Sequence, residues 1–271
     1  MSRRAGAALL PLVLLALLAG CEDQPQLLLI GHRGSPWTEL ENSLAAFRAA
    51  YEQGADGVEF DVQQSRDGKI IVMHDETLDR TTRCSGEVAA RSLVELASCS
   101  LDNGEPIRLL ADVLKTIGPR FEIMFLELKV PEVKVPTDAA IRTYTDAVIE
   151  IVKASDHADK VVLISYSVIA LRRIAERQGE GILAGWDDGE GESVALARRW
   201  EMPWSLMPVR SITPALGAVA AGLGQRVAVY QVDSPAQFLA AEDAGVRAMM
   251  ADNIHQLCSL SGRRPRDAPT W

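Results

Sequence analysis

The strongest constraint on this chain is an alternation that begins at residue 27 and runs almost to the C-terminus. Short apolar runs of strand length recur between segments of helical periodicity. Leu27–Gly31, Gly57–Gln63, Glu122–Leu128, Val161–Ser165, Gly181–Ala184, Pro203–Met207, Val227–Val232 and Val246–Met250 read as strands. Ser43–Gln53, Ala111–Ile117, Ala139–Ala154, Val168–Gln178, Ser193–Arg199, Pro214–Ala221 and Pro235–Ala244 read as the helices between them. Strands that alternate with helices pair in parallel, and eight such units close into a barrel of roughly 250 residues. The expected fold is therefore an α/β TIM (β/α)8 barrel over residues 27–260. An open doubly wound sheet shares the alternation, but no GxGxxG turn follows the first strand. Ile70–His74 is a short extra strand behind the Arg66-Asp67-Gly68 turn. Residues 261–271 contain three arginines, two prolines and no apolar period, and read as a loose tail.

Charge narrows the choice of partner. The chain carries 28 basic and 37 acidic residues, a formal charge of −9. Nucleic acid is a poor partner for such a surface. An anionic small molecule would need a cation or a few local Arg and Lys groups to overcome the protein's own field.

The N-terminus reads as an address. Two arginines precede an apolar run from Ala7 to Leu18, too short for a membrane-spanning helix, which needs about 20 residues. A basic start, a short apolar core and small residues after it form a secretory signal over residues 1–20. The sequence Leu18-Ala19-Gly20-Cys21 resembles a bacterial lipoprotein processing box, which implies acylation of Cys21 and a short tether over residues 21–26. The alternative is an ordinary cleaved signal with an incidental cysteine. Processing before Cys21 would leave 26 basic and 37 acidic residues. Export would place the protein at a periplasmic face or cell surface, where disulfides persist. Cys84 and Cys99, 15 residues apart in one connecting segment, are the expected bridge, with Cys258 left over. No CxxC or Cys/His spacing points to zinc.

Chemistry-bearing residues fall at successive strand ends. The first strand ends in Gly31-His32-Arg33-Gly34. In Val58-Glu59-Phe60-Asp61-Val62, strand alternation puts Glu59 and Asp61 on one face and the apolar residues on the other. Two carboxylates facing into a barrel repel and lose hydration unless a cation joins them. Oxygen-only ligands suit one hard divalent cation, Mg2+ or Ca2+. Ile71-Val72-Met73-His74 brings a second histidine, and Leu126-Glu127-Leu128-Lys129 puts Glu127 and Lys129 on one face. His157 and His255 lie in polar stretches and read as solvated. Strand C-termini form the face of a barrel where active sites sit. Two histidines, three carboxylates, an Arg and a Lys there support metal-assisted hydrolysis of a phosphoester.

The ordered set His32-Arg33-Gly34, Glu41-Asn42-Ser43, Gly57-Val58-Glu59-Phe60-Asp61-Val62, Asp67-Gly68, His74-Asp75-Glu76-Thr77-Leu78-Asp79-Arg80-Thr81-Thr82 and Glu127-Leu128-Lys129 resembles the glycerophosphodiester phosphodiesterase family. Weaker likeness continues through Ser165, Tyr230 and Met250-Ala251-Asp252. The resemblance implies a TIM barrel with a small insertion after the second strand, here about Gln64 to Ile107. It implies His32 and His74 as an acid–base pair, and Glu59, Asp61 and Glu127 as metal ligands. Arg33 and Lys129 match the family's phosphate contacts, Glu41 and Asn42 its first-loop support, and Tyr230 stands where a Trp is usual. Leu40 and Ser43 also depart from the usual Pro and Thr. The implied reaction is hydrolysis of a small glycerophosphodiester to glycerol 3-phosphate and an alcohol. A lysophospholipase D or sphingomyelinase D-like activity is the second reading, and a non-catalytic surface lipoprotein the third.

Overall fold

A computed structural model describes residues 26–131, 136–178, 183–187 and 193–267. The signal region, Cys21 and the last four residues lie outside them. The described residues contain nine strands: β1 Leu28–Gly31, β2 Gly57–Gln64, β3 Ile70–Val72, β4 Ile123–Leu128, β5 Val161–Ile164, β6 Leu183–Asp187, β7 Trp204–Pro208, β8 Arg226–Tyr230 and β9 Ala248–Ala251. Eight of them form a parallel barrel in the order β1-β9-β8-β7-β6-β5-β4-β2, closed by pairing of β1 with β2. The short β3 runs antiparallel to β2 outside the ring. The α/β barrel read from the alternation is the architecture observed.

Two apolar layers hold the barrel together. Val58, Phe60 and Val62 of β2 and Met124, Leu126 and Leu128 of β4 point outward and pack with the helices. Leu28, Ile30, Ile123, Phe125, Val162, Ile164, Trp204, Leu206, Ala228, Ala248 and Met250 point inward and fill the barrel axis. Phe125 and Trp204 meet there edge to face, with ring centroids 5.2 Å apart. Because β-strand side chains alternate, the inward parity fixes which later residues reach the mouth.

The helices are α1 Leu44–Glu52, α2 Leu93–Ala97, α3 Leu110–Ile117, α4 Asp138–Lys153, α5 Val168–Arg177, α6 Ser193–Arg199, α7 Pro214–Gly222, α8 Pro235–Asp243 and α9 Ile254–Leu260. Ser and Thr hydroxyls cap several of them: Ser43 caps α1 by accepting from the Ala46 amide, and Thr137, Ser167, Thr213 and Ser234 do the same for α4, α5, α7 and α8. Ser43 thus performs the capping that a Thr would.

Four readings from the sequence are corrected. Strand β3 ends at Val72, so His74 leaves the sheet before the mouth. Strand β6 lies at 183–187 rather than 181–184, and residues 181 and 182 are outside the described ones. Helix α9 was not expected; Asn253 caps it and Ile254, Leu257 and Cys258 are buried on one side. The tail is also not loose as far as residue 266. Arg263 pairs with Asp56 and donates to the Leu27 carbonyl. The Arg266 amide donates to the Glu52 carbonyl at 2.8 Å, and its guanidinium lies over the Tyr51 ring.

The insertion has its own small core. Leu78, Val88, Leu96, Cys99, Leu101 and Ile107 pack against Ile71 and Met73, while Val94 of the same segment is 80% exposed. Cys84 and Cys99 are joined by a disulfide across 15 residues. A loop of that length stabilises by about 3 kcal/mol in the chain-entropy account. Replacing both cysteines with serine should therefore lower Tm and make the 80–103 segment the first site of proteolysis. Cleavage starting in the barrel helices instead would contradict this.

Candidate active site

Each site residue is set by barrel parity. Glu59 and Asp61 alternate with the outward Val58, Phe60 and Val62, and so face the axis; Glu127 follows the inward Phe125. The β2–β4 register places Asp61 beside Glu127. One oxygen from each of Glu59, Asp61 and Glu127 lies within 4.8 Å of the others, and all three side chains are buried. Burial, and then the neighbouring Asp61, push the Glu59 and Glu127 carboxyls well above the usual carboxylate range. Glu59 Oε1 and Asp61 Oδ1 are buried and have no hydrogen-bond partner among the described residues. Unsatisfied buried carboxylate oxygens converging on one point are the donor set of a hard divalent cation, and the residues fit such an ion.

The loop after β1 is built to wrap this cluster. A Cβ on Gly31 would meet the Gly34 carbonyl oxygen at 2.2 Å, and Gly34 turns with φ +91 against the Ala46 backbone. Arg33 and Asn42 adopt φ values of 52 and 57, in the left-handed region. Asn42 there grips Asp61 twice, donating to Oδ2 at 2.8 Å and accepting from its amide at 3.1 Å. The Arg33 amide donates to Glu59 at 3.0 Å, and its guanidinium reaches Glu41 at 3.1 Å.

Both histidines carry a carboxylate on Nδ1. His32 Nδ1 is 2.6 Å from Asp252, and His74 Nδ1 is 2.7 Å from Asp75. Each Nε2 is thereby turned toward the shared cavity. His74 Nε2 lies 3.2 Å from the Lys129 ammonium, which has only protons to give, so Nε2 is the acceptor and His74 is neutral. Burial and then nearby Lys129 lower the His74 pKa against the pull of Asp61. Burial also opposes charge on His32, but the Asp252 hydrogen bond and Glu59 outweigh it and raise the value to about 9. Lys129 also pairs with Glu127 at 2.9 Å.

The cavity at the barrel mouth is lined by His32, Arg33, Glu59, His74, Glu127, Lys129, Tyr166, Tyr230 and Gln231, with a few apolar residues. Asp61 lies beneath it, and Asn42 and Glu41 support it from behind. Tyr230 forms part of the wall, with the Tyr166 hydroxyl donating to its own at 3.1 Å. All seven residues read from the sequence as catalytic, ligating or phosphate-facing, with the loop supports Glu41 and Asn42 and with Tyr230, therefore meet at one mouth. His157 does not join them; it is half-buried with its ring over Gly118, not solvated. His255 is exposed. Asp75, Arg80 and Asp252 were not assigned roles from the sequence. Met250 faces inward and Asp252 has the same parity, which was the available signal for Asp252.

A closed parallel barrel with a paired-histidine, cation-lined and carboxylate-floored mouth defines an enzyme that acts on a phosphoester. A family model, the glycerophosphoryl diester phosphodiesterase family, matches residues 32–256. A glycerophosphodiester phosphodiesterase of Caldanaerobacter subterraneus subsp. tengcongensis is 31% identical over 244 residues, covering 86% of this chain and 97% of that one. Among solved structures, an Oleispira antarctica phosphodiesterase in complex with the product sn-glycerol-3-phosphate aligns with TM-score 0.77 at 22% identity, over 87% of this chain and 96% of that one. A glycerophosphodiester phosphodiesterase from Parabacteroides distasonis aligns with TM-score 0.76 at 23% identity, over 88% and 98%. The chain belongs to the glycerophosphoryl diester phosphodiesterase family and is a phosphoric diester hydrolase.

Proposed function

We propose that the protein hydrolyses small glycerophosphodiesters to glycerol 3-phosphate and an alcohol, with His32 and His74 as acid and base. The observation that carries this reading is the convergence of two carboxylate-oriented imidazoles, two cations and three buried carboxylates on one cavity. Glu59, Asp61 and Glu127 would hold one divalent cation, Mg2+ or Ca2+, which when bound supplies positive charge against the phosphodiester oxygens. Arg33 and Lys129 present further positive charge from the cavity wall and would orient the phosphate. His74, neutral with its lone pair on Nε2, takes the proton of the attacking oxygen, that of a water or of the substrate's own glycerol hydroxyl; in the second case a water then opens the cyclic phosphate to glycerol 3-phosphate. As the new phosphorus–oxygen bond forms and the bond to the alcohol breaks, His32 gives its proton to the departing oxygen. The product named in the Oleispira antarctica structure supports the choice of substrate.

The polar cavity favours a water-soluble diester. One observation favours the lysolipid reading: a cavity of about 250 Å3, with Val130, Pro131, Pro136, Ala140 and Ile141 on one wall and Gln63, Gln64, Ser65 and Arg66 on another, shares Lys129 with the site. We expect glycerol 3-phosphate release from a water-soluble diester to exceed cleavage of the lysolipid with the same headgroup by at least about tenfold in kcat/KM, or about 1.4 kcal/mol. The comparison uses lysolipid below its micellar concentration. Equal or faster turnover of the lysolipid would install the phospholipase D-like activity in its place. We also propose a lipid anchor on Cys21, on the strength of the processing box. Cys21→Ser should move the protein from the membrane fraction to the soluble one, and an unchanged distribution refutes the anchor.

A further inference from the structure

We propose that Arg80 is a positioning residue that sets two working groups at once, His74 through Asp75 and Arg33 through Glu41. The inference rests on the reading of His74 as acid–base group and Arg33 as phosphate contact. Arg80 donates from Nε to Asp75 Oδ2 at 2.6 Å and from Nη2 to Asp75 Oδ1 at 2.8 Å. It also donates from Nη1 to Glu41 Oε2 at 2.7 Å and from Nη2 to Glu41 Oε1 at 2.6 Å. The two oxygens that share Nη2 are the ones that reach the cavity groups. Asp75 Oδ1 holds His74 Nδ1, and Glu41 Oε1 accepts from Arg33 Nη1. A single nitrogen thus lies between the two oxygens that orient the imidazole and the guanidinium.

Arg80 itself is not among the residues lining the cavity, so it acts on the reaction only through its partners. Glu41, His74 and Asp75 bring donor atoms within 4.8 Å of one another, close enough to hold a cation. The Arg80 guanidinium is that cation, supplied by the chain. Without it the two carboxylates would repel and rotate, releasing both cavity groups. Lys could not replace it, because a point charge cannot form two bidentate pairs with carboxylates in fixed planes. The insertion holds Arg80 in place. Thr82 Oγ1 donates to the Leu78 carbonyl at 2.7 Å, and the Asp102 amide donates to the Thr81 carbonyl at 3.0 Å. The Cys84–Cys99 bridge closes the same loop. The insertion therefore does more than cover the barrel: it delivers the cation that sets the mouth.

The test compares Asp75→Asn, Glu41→Gln and Arg80→Lys in the exported full chain, by steady-state kinetics and by 15N NMR of the His74 ring. Asp75→Asn should lower kcat by about tenfold or more with KM little changed. Glu41→Gln should raise KM by about tenfold with kcat little changed. Arg80→Lys should do both, and Arg80→Lys with Asp75→Asn should cost no more kcat than the larger single loss. In the NMR spectrum, wild type should show one fixed His74 tautomer protonated on Nδ1, and Arg80→Lys a mixture. The spectrum needs no turnover, so it tests Arg80 even if no diester is cleaved, an outcome that would remove the proposed activity instead. A wild-type His74 spectrum in Arg80→Lys, or a lower Tm with kcat and KM unchanged, overturns the proposal. If Arg80→Lys does not fold, the separation of kcat from KM between the two carboxylate variants decides: parallel losses overturn it.

Discussion

Alanine at His32 or at His74 should lower kcat by about 10²-fold or more in a protein that remains folded. Each imidazole is held by a carboxylate on Nδ1, at 2.6 Å and 2.7 Å, and has its other nitrogen at the cavity. A carboxylate on Nδ1 fixes the ring's orientation and leaves Nε2 to move a proton, and lost acid–base catalysis ordinarily costs 10² to 10⁴ in rate. Neither ring belongs to the apolar layers that hold the barrel, so circular dichroism and Tm should stay close to wild type. A near-normal kcat with only KM altered would make that histidine a binding group.

Removal of divalent cations should abolish turnover, and the cation-free protein should carry a characteristic pH dependence of stability. Glu59 and Glu127 protonate in the folded protein at higher pH than in the unfolded chain, because burial and Asp61 disfavour their charge. The native state then binds more protons than the unfolded one above the ordinary glutamate range. Stability of chelator-treated protein should fall as pH rises from that range toward neutrality. Added Mg2+ or Ca2+ should reverse the loss, by about 2.7 kcal/mol at a hundredfold excess over Kd. Glu59→Gln should flatten the pH slope and weaken the cation's effect on Tm. A Tm indifferent to cation in wild type would contradict the ligand assignment.

Much of this was legible in the sequence because a barrel converts local parity into global position. Once Val58, Phe60 and Val62 are read as one face, Glu59 and Asp61 must face the axis, and the same counting carries Glu127 and Lys129 to the mouth. What the sequence withheld was of another kind. Asp252 and Arg80 act through partners far along the chain: Asp252 meets His32 across 220 residues, and Arg80 meets Glu41 across 39. No local period encodes such pairs. The C-terminal arginines misled for the same reason, since their partner Asp56, which also accepts from the Leu29 amide at 2.8 Å, lies at the opposite end of the chain. Helix α9, at 7 residues, is too short for an apolar period to emerge from its capping signal.

The most direct test of the central claim is release of glycerol 3-phosphate from a water-soluble glycerophosphodiester, assayed with purified protein before and after EDTA and again after Mg2+ or Ca2+ is restored. The account predicts stoichiometric glycerol 3-phosphate and alcohol from wild type, none in EDTA, recovery with the cation, and no recovery in Glu59→Gln at the same cation concentration. Full turnover in excess chelator, or no glycerol 3-phosphate from any diester in the presence of either cation, would contradict it.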